Sequence, residues 1–107
     1  MIQLPSISVI TPTLNCGKTL RECYSRLAEQ DYPRELLELI AIDGGSSDHT
    51  ADVAASFGAR FINGDYRDNQ EARRCVGLRY ARSEIVLFLD SDNYLPHDSW
   101  LRIMVEP

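Results

Sequence analysis

Short apolar runs alternate with amphipathic stretches along the whole chain. Four runs rich in β-branched and aliphatic residues predict strands at residues 7–10, 37–42, 59–62 and 85–89. Apolar residues that recur at helical spacing predict helices at residues 18–30, 48–57 and 69–82, and at a last stretch from Pro96 that carries Trp100, Leu101 and Met104. Strand and helix therefore alternate, which predicts an α/β fold with a mostly parallel sheet, right-handed crossovers and flanking helices.

Local signals refine the ends of these elements. Thr11-Pro12 is expected to end the first strand, Gly58 to follow the second helix in a left-handed conformation, and Asn69 to cap the third helix. The fourth strand is apolar throughout, so we expect it to be covered on both faces.

Three polar segments follow strand ends, namely residues 11–15, 43–48 and 90–93. In parallel sheets, ligands bind outside the carboxyl ends of the strands. We therefore expect these segments to share one rim, which would be the functional site.

Composition limits the classes of function. The 107 residues fit a single domain spanning residues 1–107, and 44% apolar with 25% charged residues is typical of a soluble globular protein. The net charge of −5 argues against nucleic acid as a partner. Three cysteines without a CxxC pair argue against a disulfide framework or zinc cluster and favour a reducing, cytoplasmic setting. No run is apolar and long enough to span a membrane, although a longer parent protein could lie at the membrane's inner face.

Asp90-Ser91-Asp92 is the sharpest chemical feature, because two carboxylates follow directly on an apolar strand. Carboxylates there must be exposed, hydrogen-bonded or bound to a cation, and oxygen ligands suit Mg²⁺ or Mn²⁺. The alternative is a pair of turn-forming acids that cap the next helix.

Asp43 enters a glycine turn, Gly44-Gly45, at the end of the second strand. The glycines would let the backbone approach a flat ring or a phosphate, and the carboxylate could accept a hydrogen bond from a base N–H. The alternative is a turn that only caps the following helix. Elsewhere, Arg73 and Arg79 are expected on a solvated helix face, together with Arg74.

Four segments, in order, resemble the family 2 glycosyltransferases, which have a Rossmann-like GT-A fold. Residues 8–15 (SVITPTLN) resemble the family's opening strand, and residues 30–33 (QDYP) its Q-x-Y-P turn. Residues 42–48 (IDGGSSD) resemble the V-D-D-G-S-x-D segment, and residues 88–92 (FLDSD) the F-L-D-x-D segment. The resemblance runs through nearly the whole chain and implies the nucleotide-sugar-binding half of such an enzyme.

The resemblance also implies roles for single residues. Asp43 would bind the base, Asp90 would lie near the ribose or sugar, and Asp92 would ligate the Mn²⁺ or Mg²⁺ that bridges the diphosphate. The remaining residues expected to contact the substrate are Thr11, Pro12, Asn15, Gly45, Arg74 and Ser91. The sequence departs from the family pattern at Gly44, Cys75 and Ser83, which bears on base and sugar identity rather than on the fold.

For the parent enzyme, the family implies inverting transfer of a sugar from a nucleoside-diphosphate sugar, expected to be a UDP-sugar, to an acceptor glycan or lipid-linked sugar. No residue up to Pro107 matches the family's catalytic base, so we expect residues 1–107 to bind donor and metal without catalysing transfer. Two alternatives remain. A nucleotidyltransferase can share the fold, although residues 11–18 contain only one glycine where such enzymes carry a glycine-rich, basic loop. A non-catalytic fragment would self-associate through an apolar patch beside the last helix.

Overall fold

The computed structural model describes residues 3–106 and confirms the α/β fold, with a sheet whose four strands are all parallel. The strands are β1 (Ile7–Thr13), β2 (Leu37–Asp43), β3 (Arg60–Asn63) and β4 (Ile85–Phe88), in the order β3-β2-β1-β4. The helices are α1 (Gly17–Ala28), α2 (Thr50–Ser56), α3 (Gln70–Leu78) and α4 (Trp100–Val105), with one 3₁₀ turn at Arg34–Leu36. Among the described residues, no helix is long and apolar enough to cross a membrane.

The register of the central strand brings the predicted rim together. β1 pairs with β2 from Ile7↔Leu37 to Thr13↔Asp43, and with β4 from Ile7↔Ile85 to Ile10↔Phe88. The segments that follow β1, β2 and β4 therefore leave the sheet side by side. This arrangement is the one that the parallel topology predicts.

Pro12 lies within β1 instead of ending it, which corrects the predicted strand end. The carbonyl of Ile10 accepts from Leu89 N–H at 3.0 Å, and the carbonyl of Thr13 accepts from Gly44 N–H at 2.9 Å. Because backbone groups of alternate residues point to opposite neighbours, position 12 faces the β4 side, beyond the last β1–β4 pair. The missing N–H of proline is therefore tolerated there.

The sheet separates two apolar layers. The larger contains the predicted inner face of α1, including Leu20, Tyr24 and Leu27, together with Leu101 of α4, all nearly or fully inaccessible to solvent. The smaller layer, under α3, centres on Ile10 with two β2 isoleucines. Trp100 is partly buried against the larger layer, so it belongs to the core rather than to a binding platform.

The predicted coverage of β4 on both faces is wrong. Ile85 and Leu87 pack against the larger core layer, but Val86 is 37% exposed and Phe88 is 45% exposed. The reason is that α3 packs across β1 and β2, which leaves this face of the edge strand β4 open.

The helix ends agree in part with the sequence. Asn69 caps α3 by accepting from Ala72 N–H at 3.0 Å, and Gly58 has φ +74° after α2, as predicted. α2 begins at Thr50 rather than at residue 48, although the Asp48 carboxylate accepts the Thr50 N–H at 3.0 Å. α4 begins at Trp100 and not at Pro96, since residues 96–99 form bends and turns.

Candidate functional site

The Asp43 carboxylate organises the turn that follows β2. Its Oδ1 accepts hydrogen bonds from the Thr13 hydroxyl at 2.7 Å and the Ser46 hydroxyl at 2.6 Å. Its Oδ2 accepts from Gly45 N–H at 2.9 Å and Ser46 N–H at 2.6 Å. Burial favours the neutral acid, but these hydrogen bonds outweigh it, so the pKa of Asp43 lies below its usual value.

This carboxylate is 4% exposed and already accepts four hydrogen bonds. A base N–H could bind it only by displacing one of them. The base-binding role of Asp43 stays a prediction. The observed contacts of Asp43 organise the turn itself and do not cap α2, whose first N–H, that of Thr50, donates to Asp48.

Asn15 joins the segment after β1 to the Asp43 turn. Its N–H donates to the Ser46 hydroxyl at 2.8 Å, and its Oδ1 accepts from Ser47 N–H at 2.8 Å. These bonds hold Asn15 at φ +48°, a conformation that costs L-residues energy and that asparagine tolerates best. Asn15 and Gly45 are both exposed, so the two predicted site residues lie together at an open rim.

The Thr11 side chain does not reach this rim, and the role of Thr11 in binding the nucleotide stays a prediction. Its side chain is 0% exposed and faces Tyr24 of α1 on the inner side of the sheet. Pro12 is buried in β1 as well. The alternation of side chains along the strand directs position 11 into the core, and this alternation could not be assigned while the strand was expected to end there.

Asp90, Ser91 and Asp92 form a second group, in the turn after β4. Asn93 N–H donates to the Asp90 carbonyl at 3.0 Å, which closes the turn. The Asp90 carboxylate accepts from Arg74 Nη2 of α3, and this hydrogen bond raises the pKa of Arg74. Ser91 is half-buried in the same turn. The structure therefore brings Arg74, which lies on a different element, into contact with the predicted group at the end of β4.

Asp92 is exposed, and its carboxylate takes part in none of the ion pairs of residues 3–106. Within the same residues no group of three metal-ligating side chains is present. The donor set is thus one unengaged carboxylate and one paired with Arg74. Such hard oxygen ligands fit Mg²⁺ or Mn²⁺, which bind through one or two carboxylates and take their other ligands from phosphates and water.

Two adjacent arginines of α3 contact different segments near the predicted rim. Arg74 pairs with Asp90, while Arg73 Nη1 donates to the carbonyls of Tyr66 and Arg67, each at 2.8 Å. Arg73 is 2% exposed, so the prediction of a solvated face is wrong for this residue. It holds for Arg79, which is exposed.

The sequence contained a signal for Arg73 that was missed. Arg73 lies four residues before Gly77, which packs against Ile10, so both share the inner face of α3. Arg67 was missed too, because it lies in a loop without periodicity. Its Nη1 donates to the Gly45 carbonyl at 2.9 Å, which brings an exposed cation to the rim.

A cavity of about 460 Å³ opens between the starts of α1 and α2. Of the predicted site residues, only Asn15 lines it. The other polar groups that could carry chemistry lie outside this cavity, at the open rim. The candidate site is therefore defined by these polar side chains and not by the cavity.

Comparisons with known proteins identify the family. The model of Glycosyl transferase family 2 matches residues 8–107. Glycosyltransferase AglE of Haloferax volcanii is 32% identical over 103 residues, a match that covers 92% of this chain and 34% of AglE. The chain thus spans about a third of this relative.

Solved structures agree with the sequence match. Staphylococcus aureus TarS 1–349 superimposes with a TM-score of 0.85 and 30% identity, over 92% of this chain and 31% of that one. The same protein is known in complex with UDP-GlcNAc, with a TM-score of 0.79. The mannosyltransferase PcManGT of Pyrobaculum calidifontis, in complex with GDP-Man and Mn²⁺, has a TM-score of 0.82 and 28% identity, over 98% of this chain and 34% of that one. The predicted Rossmann-like GT-A fold is confirmed.

Proposed function

The chain belongs to glycosyl transferase family 2, and we propose that it forms the donor-binding part of an enzyme that transfers a sugar from a nucleoside-diphosphate sugar to an acceptor hydroxyl, with inversion. The observation that carries the proposal is the placement of two polar groups at the same edge of the sheet, namely the Asp43 turn after β2 and the Asp90–Asp92 turn after β4, with β1 between the two strands. Ligands of parallel α/β sheets bind at this edge.

We assign the Arg74–Asp90 pair to the ribose or sugar hydroxyls, since Asp90 retains acceptor capacity beyond its bond to Arg74. Asp92 is the metal ligand in this proposal, because it is exposed and unpaired within residues 3–106. Charge that develops on the leaving diphosphate would be stabilised by a bound Mn²⁺ or Mg²⁺. Asn15, Gly45 and Ser91 supply the remaining rim around the nucleotide.

The donor is proposed to be a UDP-sugar. This choice is supported by TarS, which is 30% identical to this chain and is known in complex with UDP-GlcNAc. PcManGT is known in complex with GDP-Man, so binding of GDP should be measured beside binding of UDP. The acceptor, a glycan or lipid-linked sugar, would bind outside the matched third of the relatives. Three free cysteines suit a reducing compartment, so we propose a cytoplasmic location. No observation favours a nucleotidyltransferase.

Calorimetric titration of UDP with Mn²⁺ and with EDTA tests the donor and metal roles together. We expect UDP to bind more tightly with Mn²⁺, and Asp92→Asn to abolish that difference without changing the melting temperature. Asp52→Asn removes the same charge from an exposed position on α2 and should bind UDP like the wild type. Equal UDP affinity with metal and with EDTA would exclude the metal role, and absence of UDP binding would exclude the function.

We also propose that residues 1–107 by themselves bind donor without transferring sugar, because none of the rim residues has the features of a catalytic base. A general base must lie within hydrogen-bond reach of the acceptor hydroxyl and be free to take its proton. The carboxylate of Asp43 is occupied by four hydrogen bonds, Asp90 is paired with Arg74 and assigned to the ribose or sugar hydroxyls, and Asp92 is assigned to the metal. Product formation from a panel of UDP-sugars would contradict this proposal.

Self-association belongs to the same proposal, and exposed apolar side chains of the edge strand β4 support it alongside the patch expected beside α4, where Ile103 is exposed. Val86 and Phe88 are exposed on the open face of this edge strand, and burying a large apolar side chain stabilises by about 1.5–3 kcal/mol. We expect light scattering to detect dimers that Val86→Thr with Phe88→Thr dissociates. A monomer at high concentration would refute this.

A further inference from the structure

Arg73 is a buried cation without a counter-ion. Its side chain is 2% exposed, and none of the ion pairs formed by the described residues includes it. Nη1 donates to two backbone carbonyls, whereas Nε is buried without a hydrogen-bond partner. Burying a charge with so few partners is unfavourable, so an arginine that serves packing alone would be a costly choice at this position.

Gly44 provides the space that Arg73 occupies. A Cβ at position 44 would lie 2.8 Å from Arg73 Nη1 and 3.3 Å from its Cζ. The same Cβ would lie 3.3 Å from the Cα of Arg67. Gly44 is therefore needed for its small size, and Gly44 and Arg73 form one packing unit.

The carbonyls that Arg73 binds belong to the segment 64–68, whose backbone is strained. Asp65 and Tyr66 have φ values of +54° and +48°, a conformation that non-glycine residues rarely adopt twice in succession. Gly64 N–H donates to the Asp43 carbonyl at 2.8 Å. This hydrogen bond holds the first residue of the segment on β2, and the hydrogen bonds of Arg73 hold the centre of the segment.

The segment 64–68 contacts the Asp43 turn. Arg67 Nη1 donates to the carbonyl of Gly45, which is itself exposed at the rim. A guanidinium has five N–H donors in a fixed fork, so Arg67 has donors left for oxygen atoms of a ligand. The position of Arg67 depends on the left-handed backbone that directly precedes it.

We propose that Arg73 is a positioning residue, which together with Gly44 holds the segment 64–68 against the Asp43 turn and so fixes Arg67 as a donor to the oxygen atoms of a bound nucleoside diphosphate. The proposal rests on the function proposed above. It assigns to Arg73 a role that acts through Arg67, since Arg73 itself is buried away from any ligand.

Two measurements on the same variants test it: amide hydrogen exchange in residues 64–68, read at the Gly64 N–H that is hydrogen-bonded to β2, and UDP affinity with Mn²⁺ by calorimetry. Arg73→Met should speed exchange in the segment and weaken UDP binding about tenfold, which corresponds to about 1.4 kcal/mol. Arg73→Lys keeps a cation that can donate to both carbonyls and should restore most of the affinity. Arg79→Met, which removes an exposed arginine after the same helix, should match the wild type in both measurements.

A double-mutant cycle tests the pairing with Gly44. Gly44→Ala should weaken UDP binding by displacing the guanidinium, and combining it with Arg73→Met should cost less than the sum of the two single effects. Additive effects would overturn the pairing.

Exchange in residues 64–68 that stays unchanged in both Arg73→Met and Arg73→Lys would overturn the positioning role, whether or not UDP binds. Faster exchange with unchanged UDP affinity would overturn the role of the segment in binding. Absence of UDP binding by the wild type would instead refute the proposed function, and the exchange data would still decide whether Arg73 positions the segment.

Discussion

Two substitutions of Asp43, to asparagine and to alanine, test how much its hydrogen bonds stabilise the turn. Oδ1 accepts only from hydroxyls, those of Thr13 and Ser46, whereas Oδ2 accepts only from backbone N–H groups, those of Gly45 and Ser46. In Asp43→Asn, the amide oxygen can take the place of Oδ2, and the amide nitrogen can donate to the hydroxyls, which rotate to accept. Asp43→Ala removes both sets of contacts.

The expected costs therefore differ. Asparagine keeps the contacts but loses their charge assistance, so we expect a loss of about 1–2 kcal/mol. Alanine leaves two N–H groups without an acceptor, at about 1–3 kcal/mol for each group that stays buried. At about 4–8 °C per kcal/mol for a domain near this size, thermal melts resolve the difference.

The pH dependence follows from the lowered pKa of Asp43. A carboxyl group whose pKa is lower in the folded state than in the unfolded state stabilises the protein above the unfolded pKa, about 3.9 for aspartate. That stabilisation is lost as the pH falls below this value through the folded pKa. The wild type should therefore lose its advantage over Asp43→Asn on acidification below about pH 4.

Denaturant unfolding of the wild type, both Asp43 variants and Asp52→Asn at several pH values checks these expectations. Asp52→Asn controls for the loss of one negative charge at an exposed position, with a cost of its own of about 0.3–1 kcal/mol because Asp52 lies in the first turn of α2. Equal destabilisation by asparagine and alanine would show that the amide does not keep the contacts of the carboxylate. An asparagine effect that does not diminish in acid would show that the charge of Asp43 does not stabilise the turn.

Three further predictions concern packing, backbone conformation and thiol chemistry. Gly77→Ala should lower the free energy of unfolding by about 1–3 kcal/mol, because its Cβ would lie 2.5 Å from Ile10 Cγ2; denaturant unfolding measures it, and an unchanged midpoint contradicts it. Gly58→Ala should cost about 1–2 kcal/mol at φ +74°, and a melting temperature at or above the wild type's would refute the strain. Exposed Cys75 should be alkylated in the native protein, whereas burial raises the pKa of Cys23 to about 12 and should protect it, as mass spectrometry of the labelled peptides would reveal; equal labelling would exclude this.

The sequence was sufficient to predict the order of the elements and the edge of the sheet at which the polar segments lie. Apolar periodicity and turn residues are local properties, and they identified the four strands, the cores of the four helices, the cap at Asn69 and the left-handed Gly58. Alternating strands and helices impose a parallel sheet, and a parallel sheet directs the segments around Asn15, Asp43 and Asp90 to one edge. These conclusions needed no knowledge of which side chains touch.

Only the tertiary structure decided which faces are covered and which polar groups are paired. Apolar composition predicted that β4 is covered on both faces, but α3 packs over β1 and β2, so Phe88 stays exposed. Arg73 was expected in solvent, but the absent side chain of Gly44 leaves a space that its guanidinium fills. Thr11 turned inward because β1 continues through Pro12. Each of these outcomes depends on contacts between residues distant in the chain, and periodicity along the chain carries no information about such contacts.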